Sequence, residues 1–185
     1  MAIEPKKIPD DLIQFKLPRS HKPGEDRVSK LIARHQSTVD MITASLLGVN
    51  EGTYTSTNTT FTDGTECDVL YIPQSSAIPS LPPVIIEFQH SATKSFMCRS
   101  INYCVNVFNR FKIFPILLIF CINKVELKSL ADQFKPNSGR SYFLETPSNH
   151  FALYCYMITK ESIISDVDNL NEEITSCQTF SLDGQ

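Results

Sequence analysis

The chain has 185 residues, 42% hydrophobic and 20% charged, with a formal net charge of −3, which suits one globular domain and excludes a chain-wide basic footprint for nucleic acid. Its longest apolar stretch, "FPILLIFCI" (114–122), is too short to span a bilayer, and the N-terminus shows no apolar signal-peptide core. Its six cysteines are scattered, with no C-x-x-C pair, so they read as reduced core thiols of an intracellular protein, nuclear or cytoplasmic, with no membrane partner.

Residues 1–24 carry prolines at 5, 9, 18 and 23 and mixed charge, and read as an extended arm. A single domain is expected over 25–185. "EDRVSKLIARHQSTVDMITASLLG" then puts Val28, Leu31, Ile32, His35, Val39, Ile42 and Leu46 at helical spacing. One helix is predicted over about 25–47, with Glu25 and Asp26 at its positive end and Gly48 as its C-cap. His35, on the apolar face, is expected to be a core histidine.

"GTYTSTNTTFTDGTECDVLYIP" changes the period to that of strands, with "TDGT" as a turn in hairpin position. "QSSAIPSLPP" is a loop. "VIIEFQ" is a third strand whose three consecutive β-branched residues suit a central position covered on both faces. From residue 91 the helical period returns. Ser91 or Thr93 serves as N-cap, and Met97, Ile101, Cys104, Val105, Phe108 and Phe111 form an apolar face. "FPILLIFCINKV" is a fourth strand, "DQFKPNSGRSYFLETPSNH" a polar loop, "FALYCYMIT" a fifth strand, and "ESIISDVDNLNEEITSC" an acidic terminal helix. The order predicts an α/β fold, a mixed sheet flanked by helices, with a parallel crossover between the third and fourth strands.

Two apolar runs carry acids. Asp68 opens the second strand and Glu87 lies near the end of the third. Antiparallel pairing of those strands would bring the carboxylates to one edge of the sheet. Two oxygen donors there suit a hard divalent cation, Mg²⁺ or Mn²⁺, able to bind a phosphate oxygen and acidify water. Gln89 lies two residues from Glu87, on the same strand face, where its amide can orient water or phosphate. The backbone carbonyl of Phe88 is a further candidate ligand.

On the following helix Arg99, Tyr103, Asn106 and Arg110 recur as a polar stripe, and Arg99 can take a phosphate bidentately. Residues 84–128 hold six Lys or Arg, including Lys94, against Glu87 and Glu126, a local net of +4 in an acidic chain. His90 should face away from Gln89, as a structural or rim residue. No Cys/His cluster suggests zinc, and neither a G-x-x-x-x-G-K loop nor a G-x-S-x-G elbow occurs.

The succession "ECDVLYIP", "VIIEFQ", "RSINY" on a helix and "FPILLIF" resembles the PD-(D/E)XK nuclease superfamily, closest to its transposase-associated Rpn/YhgA-like branch. There E-x-Q commonly stands for E-x-K, and R-x-x-x-Y follows. The resemblance covers about residues 25–125. It implies a restriction-endonuclease-like core in αβββαβ order and Mg²⁺-dependent cleavage of DNA phosphodiesters, in a protein of mobile-element origin. It also implies metal-binding, catalytic roles for Asp68 and Glu87, with Gln89 in the usual lysine position and Arg99 and Tyr103 as the helix pair. Lys94, Arg99, Tyr103 and Arg110 are the expected nucleic-acid contacts. A homodimer is the assembly by which such nucleases cut two strands, although the sequence marks no interface.

Two departures bear on activity. Glutamine cannot carry lysine's charge, so a cation such as Lys94 or Arg99 would have to reach the site. The family often places an acid on its first helix, where Glu25 or Asp26 would have to serve. The alternative functions are a catalytically weak or inactive nuclease fold that binds nucleic acid or a protein partner, and an interaction protein whose acids only hold counter-ions.

Overall fold

The structure is a computed structural model describing residues 27–74 and 80–167. The expected arm, Glu25, Asp26, His21 and the distal part of the terminal helix lie outside the described residues.

Seven strands form one mixed sheet in the order β1-β2-β3-β4-β7-β6-β5. They are β1 (Tyr54–Thr57), β2 (Val69–Pro73), β3 (Val84–Ala92), β4 (Ile116–Val125), β5 (Lys135–Asn137), β6 (Arg140–Thr146) and β7 (Tyr154–Thr159). The helices are α1 (Arg27–Arg34), α2 (Gln36–Leu47), α3 (Lys94–Phe111) and the short α4 (Lys128–Ala131), and residues 160–167 are also helical. β2 pairs antiparallel with β3, while β3–β4 and β4–β7 are parallel. The α/β class, the mixed sheet and the parallel step across α3 follow the sequence expectations.

Alternation along the strands sorts the core into two layers. Leu70, Ile85, Leu117 and Ile119 meet Phe96, Tyr103, Cys104 and Val107 of α3 on one face. Val69, Tyr71, Val84, Ile86, Ile116 and Leu118 meet Val39 of α2 on the other. β3 and β4 are thus covered on both sides, which is why they read as unbroken apolar runs. Among the described residues no helix is long and apolar enough to cross a membrane.

Three expectations about local structure are corrected. The first helix is two, because His35 takes an extended conformation (φ −70°, ψ 135°) at the start of α2. The break resets the helical phase. Leu31 and Ile32 are 67% and 58% exposed while Ala33 is buried, and His35 is exposed, with Nδ1 2.8 Å from Ser37 Oγ. Gly48 does close α2 at φ 67°, its N–H donating to Ala44 O. On α3 the buried face runs Phe96, Ser100, Tyr103, Cys104 and Val107, while Val105 is 41% exposed. Thr93 caps α3, accepting from Phe96 N at 3.0 Å.

The expected polar loop, 132–150, contains the antiparallel pair β5–β6, and α4 precedes it. Its one buried strand residue pair, Phe143 and Thr146, is masked in sequence by the Lys-Pro-Asn and Ser-Gly-Arg around it. "TDGT" does turn, with Phe61 N donating to Thr65 O at 2.8 Å and Gly64 at φ 78°. It lies inside the β1–β2 connection, closed by a lone Thr60–Glu66 bridge.

Candidate functional site

The site forms where β2 starts. Val69 pairs with Ile86, so one further step of the antiparallel register sets Asp68 opposite Glu87. β2 supplies no ladder there, and side chains make the missing bonds. Phe88 N donates to Asp68 Oδ2 at 2.8 Å, and Asp68 N donates to Glu87 Oε1 at 3.0 Å. Gln89 Nε2 donates to Glu87 Oε2 at 3.3 Å, as two residues on one strand face should. Phe88 meets the pair through its N–H, while its ring stacks on Phe120 at 5.1 Å.

Helix α1 closes the site with two cations. Lys30 Nζ lies 2.5 Å from Asp68 Oδ1, and Arg34 Nη2 donates to Asp68 O at 3.1 Å. Neither was among the candidate residues. Lys30 and Arg34 lie one turn apart on a helix, so the paired basic positions were visible, but nothing local assigned them to Asp68, 38 residues on from Lys30.

Glu87 is 2% exposed. Burial, then the charge of Asp68, pushes its carboxyl up to about 8, while its bond from Asp68 N and the charges of Arg99 and Lys30 pull the other way. Beside it Cys67 is buried, its thiol held well above the ordinary range by burial and by the charges of Glu87 and Asp68.

The α3 candidates divide. Arg99 is exposed, its guanidinium 5.5 Å from the Phe96 ring centroid, and its charge acts on Glu87. Tyr103 is not on a solvated stripe. It is 4% exposed and stacks on Phe61 with centroids 5.8 Å apart. Its hydroxyl pKa is raised by burial and by the Glu87 charge. Lys94 and Arg110 are both exposed, 16 positions apart on one helix, hence about 24 Å apart along its axis. They do not converge on one phosphate. Asn106 is committed to Asp63 Oδ2, at 2.9 Å. His90 lies past the acids, Nε2 3.4 Å from Asn123 Nδ2.

Asp68 and Glu87 offer only oxygen donors, and among the described residues no group of three or more His, Cys, Asp or Glu is placed to hold a metal ion. Such a donor set fits Mg²⁺ or Mn²⁺, which keep several waters and take further oxygens from a substrate phosphate, and does not fit zinc. Use of Asp68 Oδ1 requires Lys30 to yield it. No family model, no curated protein and no solved structure matches the chain.

Proposed function

We propose that this chain is a divalent-metal-dependent nuclease cleaving DNA phosphodiester bonds. The observation that carries the reading is the reciprocal hold of Asp68 and Glu87 across the β2–β3 boundary, with the Lys30 ammonium at Asp68. Two acids and a cation so gathered at the start of β2, part-way along β3, are also consistent with the restriction-endonuclease-like core implied by the resemblance.

In this reading Asp68, Glu87 and the Phe88 carbonyl hold the cation. Bound Mg²⁺ supplies positive charge at a phosphate oxygen and acidifies water. Gln89 fixes the orientation of Glu87 Oε2 through its amide. Lys30 provides the positive charge that Gln89 lacks, and offsets charge developing on the phosphate. Arg99 grips a neighbouring phosphate with two parallel hydrogen bonds. A DNA duplex, and a homodimer to cut both strands, belong to the same proposal.

One observation favours the second reading, an inactive nuclease fold kept for binding nucleic acid or a protein. All four carboxylate oxygens of Asp68 and Glu87 already have a donor or cation partner. Plasmid and single-strand cleavage with Mg²⁺ and Mn²⁺, beside folded Asp68→Asn and Glu87→Gln, separates the two. Cutting lost in both variants supports the enzyme. No cutting and no calorimetric metal binding by the natural protein supports the inactive fold.

A further inference from the structure

A cavity lies along α3 from the acids. Its volume is about 370 Å³ and it is lined by Thr60, Phe61, Thr62, Asn106, Asn109 and Arg110. One wall is Thr60 to Thr62, where the chain enters the "TDGT" turn, the other the C-terminal half of α3. The turn is built to be rigid. Asp63 Oδ1 accepts from Thr65 N and Oγ1 at 2.9 and 2.6 Å, and Asp63 Oδ2 accepts from Asn102 and Asn106 at 3.2 and 2.9 Å. Four hydrogen bonds thus tie the Asp63 carboxylate to the turn and to α3. Arg110 has no carboxylate partner among the described residues and lies over the Phe111 ring, 5.0 Å from its centroid.

The geometry points to a nucleotide subsite here: Arg110 takes a phosphate, and Asn109 with the Thr60 and Thr62 hydroxyls reads the edge of a base. The inference rests on the nuclease reading and specifies how that site would hold its substrate strand. Amide and hydroxyl groups pair with the donor and acceptor pattern of a base edge, and an unpaired guanidinium pairs with a phosphate. The volume is in the range of small-ligand sites, about 300–1,000 Å³. The position also fits. Tyr103, whose hydroxyl feels the Glu87 charge, stacks on Phe61 of this cavity. Arg110 is seven positions beyond Tyr103 on α3, about 10 Å along the helix axis, roughly the length of three base steps at 3.4 Å each.

The test is binding without catalysis. Fluorescence anisotropy in EDTA measures a short labelled single-stranded oligonucleotide against the natural protein, Arg110→Gln and Asn109→Ala across a salt series. Asn109 and Arg110 are exposed, so both variants should fold, which circular dichroism checks. Each variant is expected to weaken binding about five- to twenty-fold. Arg110→Gln alone should lower the slope of log K against log salt by about 0.7, the loss of one phosphate contact to a single strand. Binding that falls in this way upholds the subsite even if the protein cuts nothing. Binding unchanged in both variants overturns it and leaves the nuclease reading standing. A natural protein that binds no oligonucleotide also overturns it.

Discussion

Asp68 and Glu87 each hold the backbone on which the other acid's strand depends: Glu87 Oε1 takes the N–H of Asp68, and Asp68 Oδ2 takes the N–H that follows Glu87. The pair is therefore structural and chemical at once. Substitutions at it must be chosen so that a lost activity is not a lost fold.

That requirement separates two variants of Asp68. Asp68→Ala removes the acceptor for Phe88 N and leaves the Lys30 ammonium without its carboxylate. It should cost about 2–4 kcal/mol, about 1–3 for the orphaned N–H and about 0.5–1 for the lost ion pair. Asp68→Asn keeps an acceptor oxygen for Phe88 N, and should cost about 1 kcal/mol. Urea denaturation should rank them in that order, and calorimetry with Mn²⁺ should find binding lost in both. An Ala variant as stable as the natural protein would mean that the Asp68 hydrogen bond does not support the sheet end.

Glu87 predicts a pH dependence of stability. Its folded pKa, about 8, lies above the ordinary value of 4.5. Between those values the folded state holds a proton that the unfolded state has released, so stability falls as pH rises. The contribution is fully present below about 4.5 and lost as pH rises through about 8. Glu87→Gln cannot titrate and should remove that slope, making the variant relatively more stable at alkaline pH. Chemical denaturation in EDTA from pH 5 to about 9 measures both. Parallel profiles for the two proteins would show that Glu87 is not the titrating group.

Much of this arrangement was legible in the sequence. Val84, Ile85 and Ile86 announced a strand covered on both faces, and strand order alone brought Asp68 to Glu87. Other features left weaker traces. No Pro or Gly marks the helix break at His35. Its extended backbone lets α2 start afresh and turn Val39 and Thr43 inward. The Lys135–Asn137 strand is polar and exposed or half-buried throughout, so its pairing with β6 leaves no alternation to read. Tyr103 was assigned to a polar stripe because tyrosine has a hydroxyl, yet its ring fills the space beside Phe61. Lys30 reaches Asp68 by tertiary contact alone.

Lys30 carries opposite expectations for binding and turnover. Its Nζ sits at the Asp68 oxygen that a metal would use, with a side chain 35% exposed, so the ion pair itself is worth only about 0.5–1 kcal/mol. Lys30→Met removes the competing cation and should tighten Mn²⁺ about two- to five-fold, the same energy expressed as affinity. Cleavage should nonetheless fall by about ten-fold or more, because the charge facing the phosphate is gone. Calorimetry and single-turnover cleavage read the two effects separately. Weaker metal binding in Lys30→Met would assign Lys30 to holding Asp68 in place.

The two residues that the resemblance pairs on α3 should behave in opposite ways. Tyr103 is 4% exposed and stacked on Phe61, and Arg99 is exposed beside Phe96. Tyr103→Ala should cost about 3–5 kcal/mol, as deletion of a buried ring does. Tyr103→Phe keeps the ring and should cost about 1 kcal/mol or less, since only the hydroxyl is lost. Arg99→Ala should change stability by no more than about 0.5 kcal/mol. It should also weaken oligonucleotide binding and flatten the salt dependence by about one phosphate contact. Thermal melts and anisotropy titrations on the three variants distinguish the roles. Equal loss of binding in Tyr103→Phe and Arg99→Ala, with both folds intact, would restore Tyr103 as a substrate contact and require its hydroxyl to reach the strand.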